Sequence, residues 1–181
     1  MLSNYMNHPL KYARIEAERR FLLNKFPDDL SAEEPFHRII DRCIPGTRLR
    51  LRRIESPSGE TLVSKLGQKY KTPELDAHQT LMTNFYMDET EYQILTTLGG
   101  STIIKRRYRY HYAGNDYSID VFEGNLLGLV LAEIESHSEV DISPLPVPEF
   151  AIREVTGDPL FTGGELAELS QGEFQGWLAS L

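Results

Sequence analysis

Two pairs of glutamates and three runs of basic residues repeat one spacing. Glu16 and Glu18 stand two apart in "RIEAERRFLL", as do Glu133 and Glu135 in "LAEIE". Arg48, Arg50 and Arg52 alternate with leucine in "RLRLRRI", Lys65 and Lys69 share a phase in "TLVSKLGQK", and Lys105, Arg107 and Arg109 share one in "IIKRRYRY". Asp120 sits within "YSIDVFEG". Carboxylate oxygens are hard donors suited to Mg²⁺ or Mn²⁺, which also bind phosphate oxygens. Arginine offers a bidentate fork to phosphate, and lysine a compact charge. The two sets together point to metal-dependent chemistry on a polyphosphate.

Each piece alone is weak. Glu-x-Glu is common, and an RLRLR run is more often a solvated strand face. The segregation by sign, in phase with a two-residue period, carries the argument. Like charges two apart on a strand lie about 7 Å from each other and repel unless opposite charge lies between them. A closed barrel with a charged lumen places opposite charge there. Such a lumen needs water or a highly charged ligand, because buried unpaired charges cost several kcal/mol each.

The elements that position these residues are mostly strands. Expected strands cover Tyr12 to Leu23, one or two segments of "HRIIDRCIPGTRLRLRRI" broken near Pro45-Gly46, "ETLVSKLGQKY", "LMTNFYM", "STIIKRRYRYHY", "YSIDVFEG" and "LLGLVLAEIES". "SPSG" and "AGND" read as turns, 24–35 as a loop, and "SPLPVPEF" as a proline-rich connector. Asp88 and Glu91 have capping-box spacing, with Ile94, Leu95 and Leu98 as the expected buried stripe and Gly99-Gly100 as the stop. A C-terminal helix is expected over about 163–181, with Leu166, Leu169, Trp177, Leu178 and Leu181 as its apolar positions. The fold class is β-rich α+β, an antiparallel barrel of seven or eight strands with peripheral helices, in a single domain over 1–181.

The 181-residue chain carries a net charge of −8, which argues against a broad nucleic-acid surface. After Arg109 the only base is Arg153. No apolar run suggests a membrane span or a signal peptide, so a cytoplasmic location is expected. The lone Cys43 forms no intramolecular disulfide and reads as a small buried residue. His8, His37, His78, His111 and His137 show no metal spacing.

In these residues the chain resembles the CYTH proteins, or triphosphate tunnel metalloenzymes, which include class IV adenylate cyclases, thiamine triphosphatases and inorganic triphosphatases. The family's opening Glu-x-Glu-x-Lys is matched by Glu16-Ala17-Glu18-Arg19-Arg20, and the likeness continues through "TRLRLR", "SKLGQKY", "IIKRRYR", "IDVFEG", "GLVLAEIE" and "EVTGD". The resemblance implies an eight-stranded antiparallel tunnel, one or two divalent ions and a triphosphate-bearing small molecule. It implies Glu16, Glu18, Glu133 and Glu135 as metal ligands, with Asp120 as a helper. Arg20, Arg48, Arg50, Lys65, Lys105 and Arg107 become the phosphate clamp. Arg52, Lys69 and Arg109 are in phase but nearer strand ends. Arg20, Lys65 and Arg107 are the catalytic candidates. Arg20 departs from the family's usual lysine and, being always protonated, suits charge stabilisation rather than base catalysis. The expected reaction is hydrolysis of a triphosphate, inorganic triphosphate first. The alternatives are a class IV adenylate cyclase and a non-catalytic polyphosphate- or nucleotide-binding module. Monomer and homodimer are both open.

Overall fold

The computed structural model describes residues 12–72, 75–76, 78–136 and 142–179. Nine strands form one antiparallel sheet: β1 (Arg14–Leu23), β2 (Phe36–Cys43), β3 (Leu49–Glu55), β4 (Thr61–Tyr70), β5 (Gln79–Tyr86), β6 (Ser101–Tyr112), β7 (Asn115–Phe122), β8 (Val130–Ser136) and the short β9 (Arg153–Glu154). The order β5-β4-β3-β2-β6-β7-β8-β1 closes through a β5–β1 pairing, giving an eight-stranded barrel with β9 added alongside β1. Closure removes the sheet edges that would otherwise expose unpaired backbone groups.

The strand limits follow local chemistry. Pro45-Gly46 separates β2 from β3, with Gly46 at positive φ. The "AGND" turn places Ala113 and Gly114 at φ 49° and 78°, the left-handed backbone that a tight hairpin requires. Arg19, which interrupts the apolar face of β1, points outward. Its guanidinium forks onto Glu154 (3.0 and 2.6 Å) and donates to the carbonyls of Ile142 (3.1 Å) and Leu145 (2.5 Å), fastening the 142–154 segment over the barrel.

Two apolar clusters result. One lies outside β1, β6, β7 and β8, where Phe21, Tyr108, Tyr117 and Ile119 pack under Phe26, Leu30, Leu145 and Phe150 from the covering loops. The other fills one end of the lumen: Leu22, Ile103, Phe122 and Leu131 meet Val155, Phe161, Leu166 and Phe174. The outer covering is partial. Ile15, Leu62 and Phe85 on the β1–β5–β4 side are about half exposed (52%, 46% and 58%), so the peripheral elements leave this side uncovered.

Two expectations about helices and one about a strand are corrected. α1 (Glu89–Thr96) has the Asp88–Glu91 capping box, but its buried residue is Tyr92, stacked under Arg53, while Ile94 and Leu98 face solvent. With so short a helix, one aromatic anchor covers the available sheet surface. The C-terminal helix is two: α2 (Gly163–Glu168) and α3 (Gln171–Leu178), because Ser170 and Glu173 form a second capping box that starts a new helix after Leu169. Leu181 lies outside the described residues. The eighth barrel strand begins only at Val130, after a 3₁₀ turn over Gly124–Leu126.

Candidate functional site

Strand register assembles the charges. β1–β8 pairing sets Glu18 beside Glu135 and Arg20 beside Glu133. β6–β7 pairing sets Arg107 beside Asp120, and β3–β4 pairing sets Arg52 beside Lys65. In the cyclic strand order β8 stands opposite β3 and β1 opposite β2, so glutamates face the arginine wall across the lumen.

Asp120 is fully buried and holds both β6 cations. Arg107 reaches it through Nε and Nη2, both at 2.7 Å, and Lys105 donates to its Oδ2. Arg107 also pairs with Glu133 and lies 3.6 Å from Glu135. Across the lumen, Arg52 forks onto Asp41 at 2.6 Å through two nitrogens, and Arg50 stands 3.7 Å from the same carboxylate. Lys69 Nζ sits between Glu16 Oε2 (2.8 Å) and Glu18 Oε2 (2.7 Å). Arg20 Nε lies 2.8 Å from Glu18 Oε1, and its other nitrogens donate to the carbonyls of Phe161 and Thr156. Lys65 has no ion-pair partner among the described residues.

These contacts set the protonation equilibria. Burial alone would raise the Glu133 carboxyl, but Lys105, Arg107, Arg20 and Lys69 outweigh it and hold Glu133 well below the usual carboxylate range. Burial and Glu133 push Glu18 upward, and Lys69 with Arg20 bring it below its ordinary value. Glu135 goes the other way: burial and then the Glu133 charge raise it more than Arg107 lowers it. Burial lowers the Lys65 ammonium, and the neighbouring Arg52 and Arg50 lower it further.

The structure thus brings Glu16, Glu18, Glu133, Glu135, Asp120, Arg20, Arg50, Arg52, Lys65, Lys69, Lys105 and Arg107 into one lumen. Arg48 precedes β3, exposed, with its guanidinium 4.6 Å from the Tyr70 ring centroid. Arg109 is also exposed, near the end of β6. His37, His78 and His111 belong to no metal cluster; His111 pairs with Asp116. His8 and His137 lie outside the described residues. Cys43 is half-buried, 3.6 Å from the Gly163 carbonyl oxygen. Asp41 is the lumen residue that sequence reasoning missed. Its signal was present: in "RIIDRC" it is the one acid in an apolar-basic strand, at the phase of Ile39 and Cys43.

Among the described residues no three His, Cys, Asp or Glu side chains converge as a ready-made metal cage. The donor set nevertheless fits a hard divalent ion. Glu16 Oε2 is buried and faces the Lys69 ammonium at 2.8 Å, so this carboxylate oxygen already holds a cation in the lumen. Glu18 and Glu135 adjoin it as further oxygen donors.

A closed antiparallel barrel with acidic and basic walls facing across its lumen defines a class that solved structures share. The protein NE1496 matches with a TM-score of 0.56 at 25% identity, over 86% of this chain and 99% of that one. A second structure of it, called the inorganic triphosphatase NE1496, matches with a TM-score of 0.52 at 24% identity, over 84% and 93%. An inorganic triphosphatase of Acetivibrio thermocellus is 32% identical over 108 residues, and the match spans 60% of each chain. No known family profile matches the chain. Sequence match and barrel together support the resemblance to the CYTH, or triphosphate tunnel, proteins.

Proposed function

We propose that this protein is a divalent-metal-dependent triphosphatase with inorganic triphosphate as its preferred substrate. The observation that carries the reading is the lumen itself, where cations from β3, β4 and β6 surround carboxylates from β1 and β8. The two inorganic triphosphatases to which the chain is similar support the substrate class.

In this reading Arg50, Arg52 and Lys65 hold phosphate oxygens from one wall, and Lys105 and Arg107 from another. Lys65, lacking a carboxylate partner, gains its counter-charge from the substrate. Asp41 and Asp120 fix the guanidinium planes so that little reorganisation is needed when the anion arrives. Glu16, Glu18, Glu133 and Glu135 would hold Mg²⁺ or Mn²⁺. When bound, such an ion supplies Lewis-acid stabilisation of phosphate charge and orientation of a water. Attack of water on the terminal phosphorus breaks its bond to the bridging oxygen and releases phosphate and diphosphate. Arg107 and Lys65 stabilise charge on the departing diphosphate; one preorganised donor of this kind is worth roughly 10²–10³ in rate. Arg20, engaged with Glu18 and two carbonyls, positions that carboxylate.

The test is a substrate panel: triphosphate, ATP and thiamine triphosphate, each with Mg²⁺ or Mn²⁺. Fastest phosphate release from triphosphate is expected, with Glu18→Gln folded and inactive. Cyclic AMP from ATP, or no turnover of any substrate, would overturn the assignment.

A further inference from the structure

Lys69 is placed unlike the other lumen cations. Asp41 holds Arg50 and Arg52, Asp120 holds Lys105, Arg107 divides its nitrogens between Asp120 and Glu133, and Arg20 meets Glu18 through the other carboxylate oxygen. Lys69 instead puts one nitrogen between the two carboxylates of the Glu16/Glu18 pair, 2.8 and 2.7 Å from an oxygen of each. A divalent ion shared by those two oxygens would sit about 2.0–2.1 Å from each if it were Mg²⁺. Those oxygens are already engaged by the ammonium, so an ion that takes both competes with Lys69 for them.

We infer that Lys69 is a resident counter-cation that a divalent ion must displace, and that its release couples metal binding to phosphate binding. The inference rests on the proposed triphosphatase reading for the use made of the freed charge. Lys69 is on a four-carbon stem, and its side chain is one-third exposed, so the nitrogen can leave without unfolding β4. The β5 wall beside it is neutral: Met82 is its register partner, and Thr80 pairs with Glu16. Once dislodged, the ammonium finds no replacement carboxylate on β5, whose sequence QTLMTNFY carries no acid. Arg48 follows on the neighbouring strand, its carbonyl accepting the Lys69 amide. A lumen holding both a divalent ion and a freed ammonium has gained positive charge on this side, and a polyanion supplies the balance. Metal therefore prepares the site for phosphate, and by linkage phosphate favours metal.

The experiment is Mn²⁺ binding by calorimetry without any phosphate, on the parent, Lys69→Met, Lys69→Arg and Glu18→Gln proteins. Binding to Lys69→Met is expected to be at least tenfold tighter than to the parent, since the competing cation is gone. Lys69→Arg, which keeps it, is expected to bind no more tightly than the parent. The KM for triphosphate at saturating Mn²⁺ should rise in Lys69→Met, because the released charge is missing. Equal or weaker Mn²⁺ binding by Lys69→Met, or tighter binding by Lys69→Arg, overturns the inference. If Lys69→Met does not fold without metal, Lys69→Gln takes its place under the same criterion. A parent that binds Mn²⁺ no better than Glu18→Gln would instead remove the metal site and the triphosphatase reading with it.

Discussion

The Arg20 guanidinium spans three acceptors: Glu18 and the carbonyls of Thr156 and Phe161. A lysine carries its charge on one nitrogen and cannot span them. Arg20→Lys is therefore expected to lose about 1–3 kcal/mol of stability, the cost of unsatisfied buried polar groups, read as a lower urea midpoint at unchanged slope. Asp41 makes the opposite kind of prediction. Burial would raise its carboxyl, but Arg50 and Arg52 outweigh burial and hold it far below the aspartate range. A depressed carboxyl contributes stability above its unfolded value near 3.9 and loses it as pH falls toward the folded value. Asp41→Asn leaves Arg52 buried and unpaired, so at pH 7 it should be destabilised by about 3–5 kcal/mol. Below about pH 4 the gap between parent and variant should narrow. A constant gap from pH 7 to pH 3 would contradict the pairing. Asp41 escaped sequence reading because a single acid among apolar residues has no periodic partner on its own strand. The glutamate pairs and the β3 and β6 cations were legible because alternation repeats the signal within each strand.

Strand identity was likewise legible where charge alternated, and helix packing was not. Ile94 and Leu98 have helical spacing, yet Tyr92 is the buried anchor because α1 lies over the Arg53 side chain, a tertiary fact. The break between α2 and α3 was readable in principle, since Ser170 and Glu173 have capping spacing. The apolar residues on both sides suggested one continuous stripe instead. At the lumen end, Phe174 is fully buried against Phe161 and Trp177. Phe174→Ala should cost about 3–5 kcal/mol by chemical denaturation, and a smaller loss would mean that the cap collapses to fill the space. Gly100, at the entry to β6, has no room for a side chain: a Cβ there would collide with the Cys43 carbonyl oxygen. Gly100→Ala should destabilise by about 1–3 kcal/mol through forced backbone movement. Gly99→Ala, in open space, is the control.

At the scale of the whole molecule, a lumen rich in both signs should respond to polyanions by charge number. Triphosphate with Mg²⁺ should raise the melting temperature more than diphosphate, and diphosphate more than phosphate. Ligand at 100 times its Kd corresponds to about 2.7 kcal/mol. An unchanged melting temperature with triphosphate would contradict a polyphosphate tunnel. Barrel closure itself followed from charge segregation, but the partial outer coat did not, because exposure of Ile15 and Phe85 depends on where the covering segments run. β1 also has a consequence for how the protein is made. It is the first of the described strands in chain order, and it pairs with β5, β8 and β9. Arg19 and its partner Glu154 are 135 residues apart. At about 5–20 residues per second, translation of that interval takes roughly 7–27 s, during which Phe21, Leu22 and Leu23 lack their final neighbours. β1 thus has β5 to pair with before β8 and β9 are made, and its Phe21–Leu23 end waits longest for its neighbours, which makes that end the natural place for a chaperone to hold it.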